Sequence, residues 1–123
     1  MNNRIQPQET ELIKRGDIYW IKFDPIEGSE IGKTRPAIII SNNINNELAD
    51  TVTVIPITSS VGKVYPFEVF LTAGIANLPE DSKAKTNQIR TIDKKRIKNL
   101  IGTIPDNVLR EIEKATKIHL DFK

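Results

Sequence analysis

The apolar, β-branched run Ala37-Ile38-Ile39-Ile40 is entered directly from the polar, two-glycine stretch Gly28 to Arg35, through Pro36. It constrains the fold more than any other feature of the chain. The run is far too short to cross a membrane, and its branched side chains disfavour a helix. It therefore predicts a buried strand fed by a loop. Glycines let such a loop take backbone angles that other residues avoid, and a rigid strand fixes the side chain at the junction in one direction. Arg35 is the charge at that junction. Alone it reads as a solvated arginine at a strand start, so its weight depends on what the rest of the chain supplies.

The other apolar segments are of the same kind. Ile18 to Phe23, closed by Asp24-Pro25, predicts a first strand, and Arg15-Gly16-Asp17 before it reads as a charged turn rather than an adhesion tripeptide. Thr51 to Thr58 predicts a third strand, with Pro56 expected at an edge or bulge because it cannot donate to a ladder. Phe67 to Leu71 and Lys83 to Ile92 predict a fourth and a fifth, and Leu100 to Ile104 a short last one. A turn is expected at Asn45-Asn46, a loop over residues 72–82, and a short helical turn from Lys94 to Lys98 capped by Asp93. Helical periodicity begins only at Pro105-Asp106. There Val108, Ile112, Ala115 and His119, joined by Leu109, Thr116 and Leu120, share one side, which makes His119 a packed core histidine. Strands without βαβ alternation and one terminal helix predict a fold that is mainly β with α: a small, strongly bent antiparallel sheet or barrel with a C-terminal helix. Residues 1–14 read as a polar N-terminal lead-in and residues 15–123 as a single domain.

Composition removes several chemistries. The 123 residues contain no cysteine and one histidine, which excludes disulfides, thiol catalysis and the ordinary zinc arrangements; neither metal nor cofactor is expected. No glycine-rich phosphate loop precedes a helix, and no pair of carboxylates shares an apolar setting. The N-terminus lacks a signal-peptide layout and no window approaches a membrane span, so a cytoplasmic protein without membrane contact is expected. The net charge of +2 hides an asymmetry. Residues 1–81 carry seven basic and eleven acidic side chains, whereas residues 82–123 carry eleven and five, so the last third is the candidate for a polyanion. Arg35 after one loop, Thr58 and Ser59 after a strand, and Gln88 with Arg90 before a basic turn form an inventory of donors. Guanidinium groups read phosphate bidentately, and hydroxyls and amides add neutral donors. This set fits a phosphodiester. In RNA it also fits a metal-free reaction in which a 2′-OH attacks its own adjacent phosphate and the protein stabilises the added negative charge.

Several ordered blocks carry a resemblance. They are Arg15 to Tyr19, Gly28-Ser29-Glu30 with Gly32 to Ile39, Ile55-Pro56-Ile57-Thr58-Ser59, Tyr65-Pro66-Phe67-Glu68-Val69, and Asn87 to Ile97. Together they resemble the MazF/PemK family of toxin endoribonucleases of type II toxin–antitoxin systems, over residues 15 to about 120. The resemblance implies an SH3-like, plasmid-maintenance-toxin barrel, a homodimer, and metal-independent, sequence-specific cleavage of single-stranded mRNA leaving 2′,3′-cyclic phosphate and 5′-OH ends. It also implies neutralisation by a cognate, MazE-like antitoxin. Carried over by position, Arg35 and Thr58 match the family's catalytic arginine and hydroxyl, and Gln88 and Arg90 fall where the family contacts RNA. Ser29, Glu30 and Ser59 are substrate neighbours that fit loop hydrogen bonding equally well. Asn87 stands where many relatives carry an acidic residue. Lys94, Lys95, Arg96 and Lys98 fit either an RNA-facing role or the solvation of a short helical turn, and Trp20 reads as packing rather than as a base platform. Two alternatives are a toxin of the same fold that binds and poisons a protein target such as DNA gyrase, and a plain RNA-binding barrel. The first has no need of Arg35 together with Thr58; the second usually offers exposed aromatic platforms.

Overall fold

The apolar runs become strands, and in the first three of them alternate side chains feed two different cores. The computed structural model describes residues 12–123. Its strands are β1 (Asp17–Lys22), β2 (Thr34–Ile39), β3 (Thr51–Thr58), β4 (Glu68–Leu71), β5 (Ser82–Lys85), β6 (Arg90–Asp93) and β7 (Ile97–Thr103); its helices are α1 (Asn43–Leu48) and α2 (Asp106–Leu120). The strands form one antiparallel, barrel-like sheet in the order β4-β5-β3-β2-β1-β7, with β6 paired to β3 beside β5. Side chains alternate across a strand, so Ile38, Ile55 and Ile57 pack with Ile18 under Val108, Ile112 and Ala115 of α2. Ala37, Ile39, Val52 and Val54 turn the other way, onto Tyr19, Ile21, Phe23, Ile92 and Ile97. This two-sided burial explains why the run from Ala37 to Ile40 lacks polar alternation.

The eight-residue β3 is the spine, and it accounts for most differences from the sequence reading. Along one edge it pairs with β2 through Ala37↔Pro56, Ile38↔Ile55 and Ile39↔Val54. Along the other, Thr51 to Val54 pairs with β6, and Ile57 and Thr58 pair with β5. Pro56 therefore lies in a central strand rather than at an edge. It is tolerated because it falls between these two pairings, where no ladder needs its missing N–H. The expected fifth strand from Lys83 to Ile92 is two strands, since β3 carries two partners end to end and the chain must step between them. The step is a 3-10 turn at Thr86–Gln88, fixed by the buried Thr86 hydroxyl donating to the Phe67 carbonyl.

Smaller elements follow local chemistry. The expected turn at Asn45-Asn46 is inside α1, capped by the Asn42 side chain, which accepts the Asn45 N–H at 2.8 Å. Asp93 caps the 3-10 turn Lys94–Arg96 as expected, accepting from the Lys95 N–H at 2.8 Å, and the last strand starts at Ile97, three residues earlier than the sequence suggested. The helix over Asp106–Leu120 buries Val108, Ile112 and Ala115. His119 does not join them: it is exposed, one turn beyond the last buried residue, with its ring 6.3 Å from that of Phe67. Most of the expected lead-in, residues 1–11, lies outside the described residues, while Ile13 is buried in the second core. Among the described residues no helix is long and apolar enough to cross a membrane.

Candidate active site

The junction of loop and strand that organises the sequence also organises the site. Arg35 lies on β2 opposite Ile21 of β1, half-buried, and its Nε donates to the Gly32 carbonyl at 2.8 Å. The loop it holds, residues 23–33, is shaped from several sides. Asp24 Oδ1 accepts the Lys33 N–H at 2.8 Å, and a Cβ at position 32 would stand 2.6 Å from that same oxygen, so a larger residue there would push the Asp24 side chain off this bond. Arg96 Nη1 donates to the carbonyls of Lys22 and Asp24 at 3.0 and 2.6 Å. At the tip, Glu30 Oε1 accepts the Glu27 N–H at 2.8 Å, while Ser29 and Glu30 remain exposed, with no described contact to Arg35 or Thr58.

The β2–β3 pairing ends at Ala37↔Pro56; Arg35 lies two residues before Ala37 and Thr58 two residues after Pro56, so strand alternation sets both on the face of that pair. Thr58 is buried, and its Oγ1 accepts the Ser60 N–H at 3.1 Å. Beside these residues opens a cleft of about 150 Å³ lined by Arg35, Ser59, Trp20, Thr34, Glu80 and Ser82 among others. The structure thus brings Arg35 and Ser59 to one cleft, while Thr58, between the cleft residues Ile57 and Ser59 in the chain, is buried and does not line it. The next strand places Lys83 opposite Thr58.

Gln88 and Arg90 do not line this cleft. Gln88 Oε1 accepts the Ile31 N–H at 3.3 Å, so it touches the loop one residue from the carbonyl that Arg35 holds. Arg90, opposite Val54 on β6, has its guanidinium carbon 5.6 Å from the centroid of Phe23, and its Nη1 is buried without a hydrogen-bond partner. Arg96 is drawn into the loop contacts above, whereas Lys95 and Lys98 are exposed. Trp20, read as packing from sequence, is half-buried in the cleft wall; its pairing with Pro36 across β1 and β2 sets it there. Glu80 and Ser82 were also missed, because a loop residue and the first residue of a strand reach a cleft only through the fold. The one available signal was the acidic pair Glu80-Asp81 just before a strand.

An ion triad centred on the buried Glu68 braces the loop that follows Ser59. Glu68 Oε1 accepts from Lys83 Nζ at 2.9 Å and Oε2 from Lys85 Nζ at 2.8 Å, and the Tyr65 N–H donates to Oε1 at 3.0 Å. Lys83 Nζ also reaches the Lys63 carbonyl at 2.8 Å. Burial pushes the Glu68 carboxyl up, but the hydrogen bonds from Lys85, the Tyr65 N–H and Lys83, with the Lys85 charge, outweigh it and lower the pKa from 4.5 to about 2. The loop from Ser59 to Phe67 is thereby fastened to β4 and β5.

A barrel-like sheet with an arginine and hydroxyls gathered at one open cleft is a protein equipped to grip a phosphodiester. The chain belongs to the PemK-like, MazF-like toxins of type II toxin–antitoxin systems, whose family model it matches over residues 14–120. It is 39% identical over 116 residues to endoribonuclease MazF9 of Mycobacterium tuberculosis, with 90% of this chain and 98% of that protein covered. Its fold is similar to that of MazF from Deinococcus radiodurans, with a TM-score of 0.80 and 27% identity over 91% of this chain and 99% of that one. It is also similar to a chain of a MazE–MazF structure from the same organism, with a TM-score of 0.73 and 26% identity, covering 92% of this chain and all of that one. The fold is the small toxin barrel that the resemblance implied.

Proposed function

We propose that this chain is a sequence-specific, metal-independent endoribonuclease that cleaves single-stranded mRNA and is held in check by a cognate, MazE-like antitoxin. The observation that carries the reading is the placement of Arg35. Its Nε is committed to the Gly32 carbonyl, which aims the guanidinium and leaves its two Nη groups for a ligand in a cleft shared with Ser59. In the proposed reaction the 2′-OH loses its proton, O2′ bonds to the adjacent phosphorus, and the P–O5′ bond breaks, with O5′ taking a proton. The products are a 2′,3′-cyclic phosphate and a 5′-OH. Arg35 stabilises the charge that builds on the phosphoryl oxygens, and Thr58, at the end of the neighbouring strand, supplies a hydroxyl donor. These donors do what a metal would do in other nucleases, because a guanidinium stays charged and matches the phosphate geometry.

Ser59 contacts the substrate from the cleft wall. Ser29 and Glu30 meet bases from the exposed loop tip, and Gln88 and Arg90 serve the RNA side of the site from beneath that loop. The toxin domain covers residues 15–123, acts in the cytoplasm and works as a homodimer, as its membership of this family supports. Incubating the protein with a long mixed-sequence RNA in EDTA and mapping the ends tests the reading. Discrete fragments with cyclic-phosphate and 5′-OH ends, lost in Arg35→Ala, are expected. Folded protein that leaves every RNA intact would refute it and turn attention to a protein target.

A further inference from the structure

One aromatic surface is built with care outside both the cores and the cleft. Tyr65 is 44% exposed, and its ring lies nearly parallel to that of Phe67, at 5.5 Å and 6°. Lys63 Nζ sits 5.0 Å from the Tyr65 centroid and Lys83 Nζ 6.0 Å away. The stack is held from below. The Tyr65 N–H is bound by Glu68, which two lysines clamp, and the Phe67 carbonyl takes the Thr86 hydroxyl. An exposed ring fixed this firmly loses little entropy when something stacks on it. The surroundings favour an anion: Glu68, which holds the Tyr65 N–H, is already neutralised by Lys83 and Lys85.

The same contacts tie this surface to the cleft. Lys83 is the register partner of Thr58, and its ammonium reaches toward the Tyr65 ring, so Tyr65 stands one strand and one lysine side chain from Thr58, the neighbour of the cleft residues Ile57 and Ser59. The loop that carries Tyr65 leaves the cleft wall at Ser59. A strand of RNA bound at Arg35 and continuing over that loop meets Tyr65 next. Aromatic faces with nearby cations are what single-stranded nucleic acid uses, because every base has a π-face and every linkage a phosphate.

We propose that Tyr65, backed by Phe67, is a base-stacking subsite for substrate RNA flanking the cleavage position, with Lys63 taking a neighbouring phosphate. Lys63 is exposed, so its ammonium is free to move from the ring to the strand as a base stacks. The inference rests on the ribonuclease reading above. It gives the subsite a role in holding flanking sequence rather than in breaking the bond.

The test uses the full-length protein and RNAs carrying the mapped cleavage sequence, made uncleavable by a 2′-deoxy sugar at that position. One RNA is the bare sequence and the other is extended by about six nucleotides on each side, within the reach of a single small barrel. The parent is expected to bind the extended RNA more tightly. Tyr65→Ala should weaken the extended RNA about tenfold while leaving the bare one unchanged, and Tyr65→Phe should restore binding, since stacking needs the ring and not the hydroxyl. Lys63→Gln should lower the dependence of log K on log salt by about 0.7 for the extended RNA. Equal binding of both RNAs by Tyr65→Ala and parent overturns the subsite, as does an equal loss on both. A shift in sedimentation with unchanged RNA affinity overturns it in favour of a protein interface. If the parent cleaves RNA but shows no gain from the flanks, this inference fails alone; if it neither binds nor cleaves RNA, the ribonuclease reading fails with it.

Discussion

One loop leads into the strand of Arg35 and another leaves the strand of Thr58, and different physics holds each of them. The loop from Phe23 to Lys33 is tied by separate hydrogen bonds: Arg35 to Gly32, Gln88 to Ile31, Asp24 to Lys33, and Arg96 to Lys22 and Asp24. The loop from Ser59 to Phe67 is tied by one buried charge cluster, Glu68 with Lys83 and Lys85. Bonds of the first kind contribute about 0.5–1.5 kcal/mol each and fail one at a time. A buried charge cluster fails as a unit, because removing one member leaves the others uncompensated. The first loop can thus be adjusted to a substrate at small cost to folding, while the second is a fixed wall whose loss reaches the core.

The largest expected effect breaks the wall. Glu68→Gln leaves Lys83 buried without its counter-charge and should destabilise the protein by about 3–5 kcal/mol in urea unfolding. The same variant reports on pH. The Glu68 pKa is lowered on folding from 4.5 to about 2, so its contribution is complete above about pH 4.5 and is lost as pH falls through about 2. The parent should lose stability across that window, and Glu68→Gln should lack this component of the loss. Next in size is Arg35→Ala. Loss of one preorganised donor corresponds to about 3–4 kcal/mol of transition-state stabilisation, or a fall of roughly 10²–10³ in cleavage rate. Its unfolding midpoint should move far less than that of Glu68→Gln.

A milder break separates the two loops more sharply. Gln88→Ala removes the acceptor for the Ile31 N–H and should cost about 1 kcal/mol or less of stability, while single-turnover kinetics show weaker substrate binding with a largely preserved chemical step. Equal losses in binding and chemistry would place Gln88 on the reacting phosphate instead. The smallest effect belongs to the loop tip. Glu30→Ala frees one exposed N–H and should change stability by no more than about 0.5 kcal/mol, so a change in cleaved sequence, read by end mapping, would come from lost base contact alone.

Much of this was legible beforehand. The apolar run after Arg35, the third strand over Thr51–Thr58, the Asp93 cap and the terminal helix all follow from periodicity and capping, which act over a few residues. The helix face was readable as far as Ala115, but not at His119, because periodicity marks a side of a helix and not where the sheet beneath it ends. The split of the fifth strand was hidden because it depends on the length of β3 and on a Thr86–Phe67 contact that spans nineteen residues. The site divides in the same way. Arg35 and Ser59, singled out by their types and strand-end positions, do line one cleft, whereas Trp20, Glu80 and Ser82 enter it only when β1, β2 and β5 are brought together.

The sequence by itself determined most of the strands, where the helix begins, that no cysteine chemistry is available, and that the last third is the more basic part of the chain. Those properties are local, set by side-chain branching, alternation and composition. Only the tertiary structure decided that Arg35 and Thr58 share a face, that Gln88 touches the first loop rather than the cleft, and that Glu68 is a buried anion clamped by two lysines. Register and burial are joint properties of distant segments. The charge on Glu68, the aim of Arg35 and the exposure of Tyr65 do not exist until those segments meet.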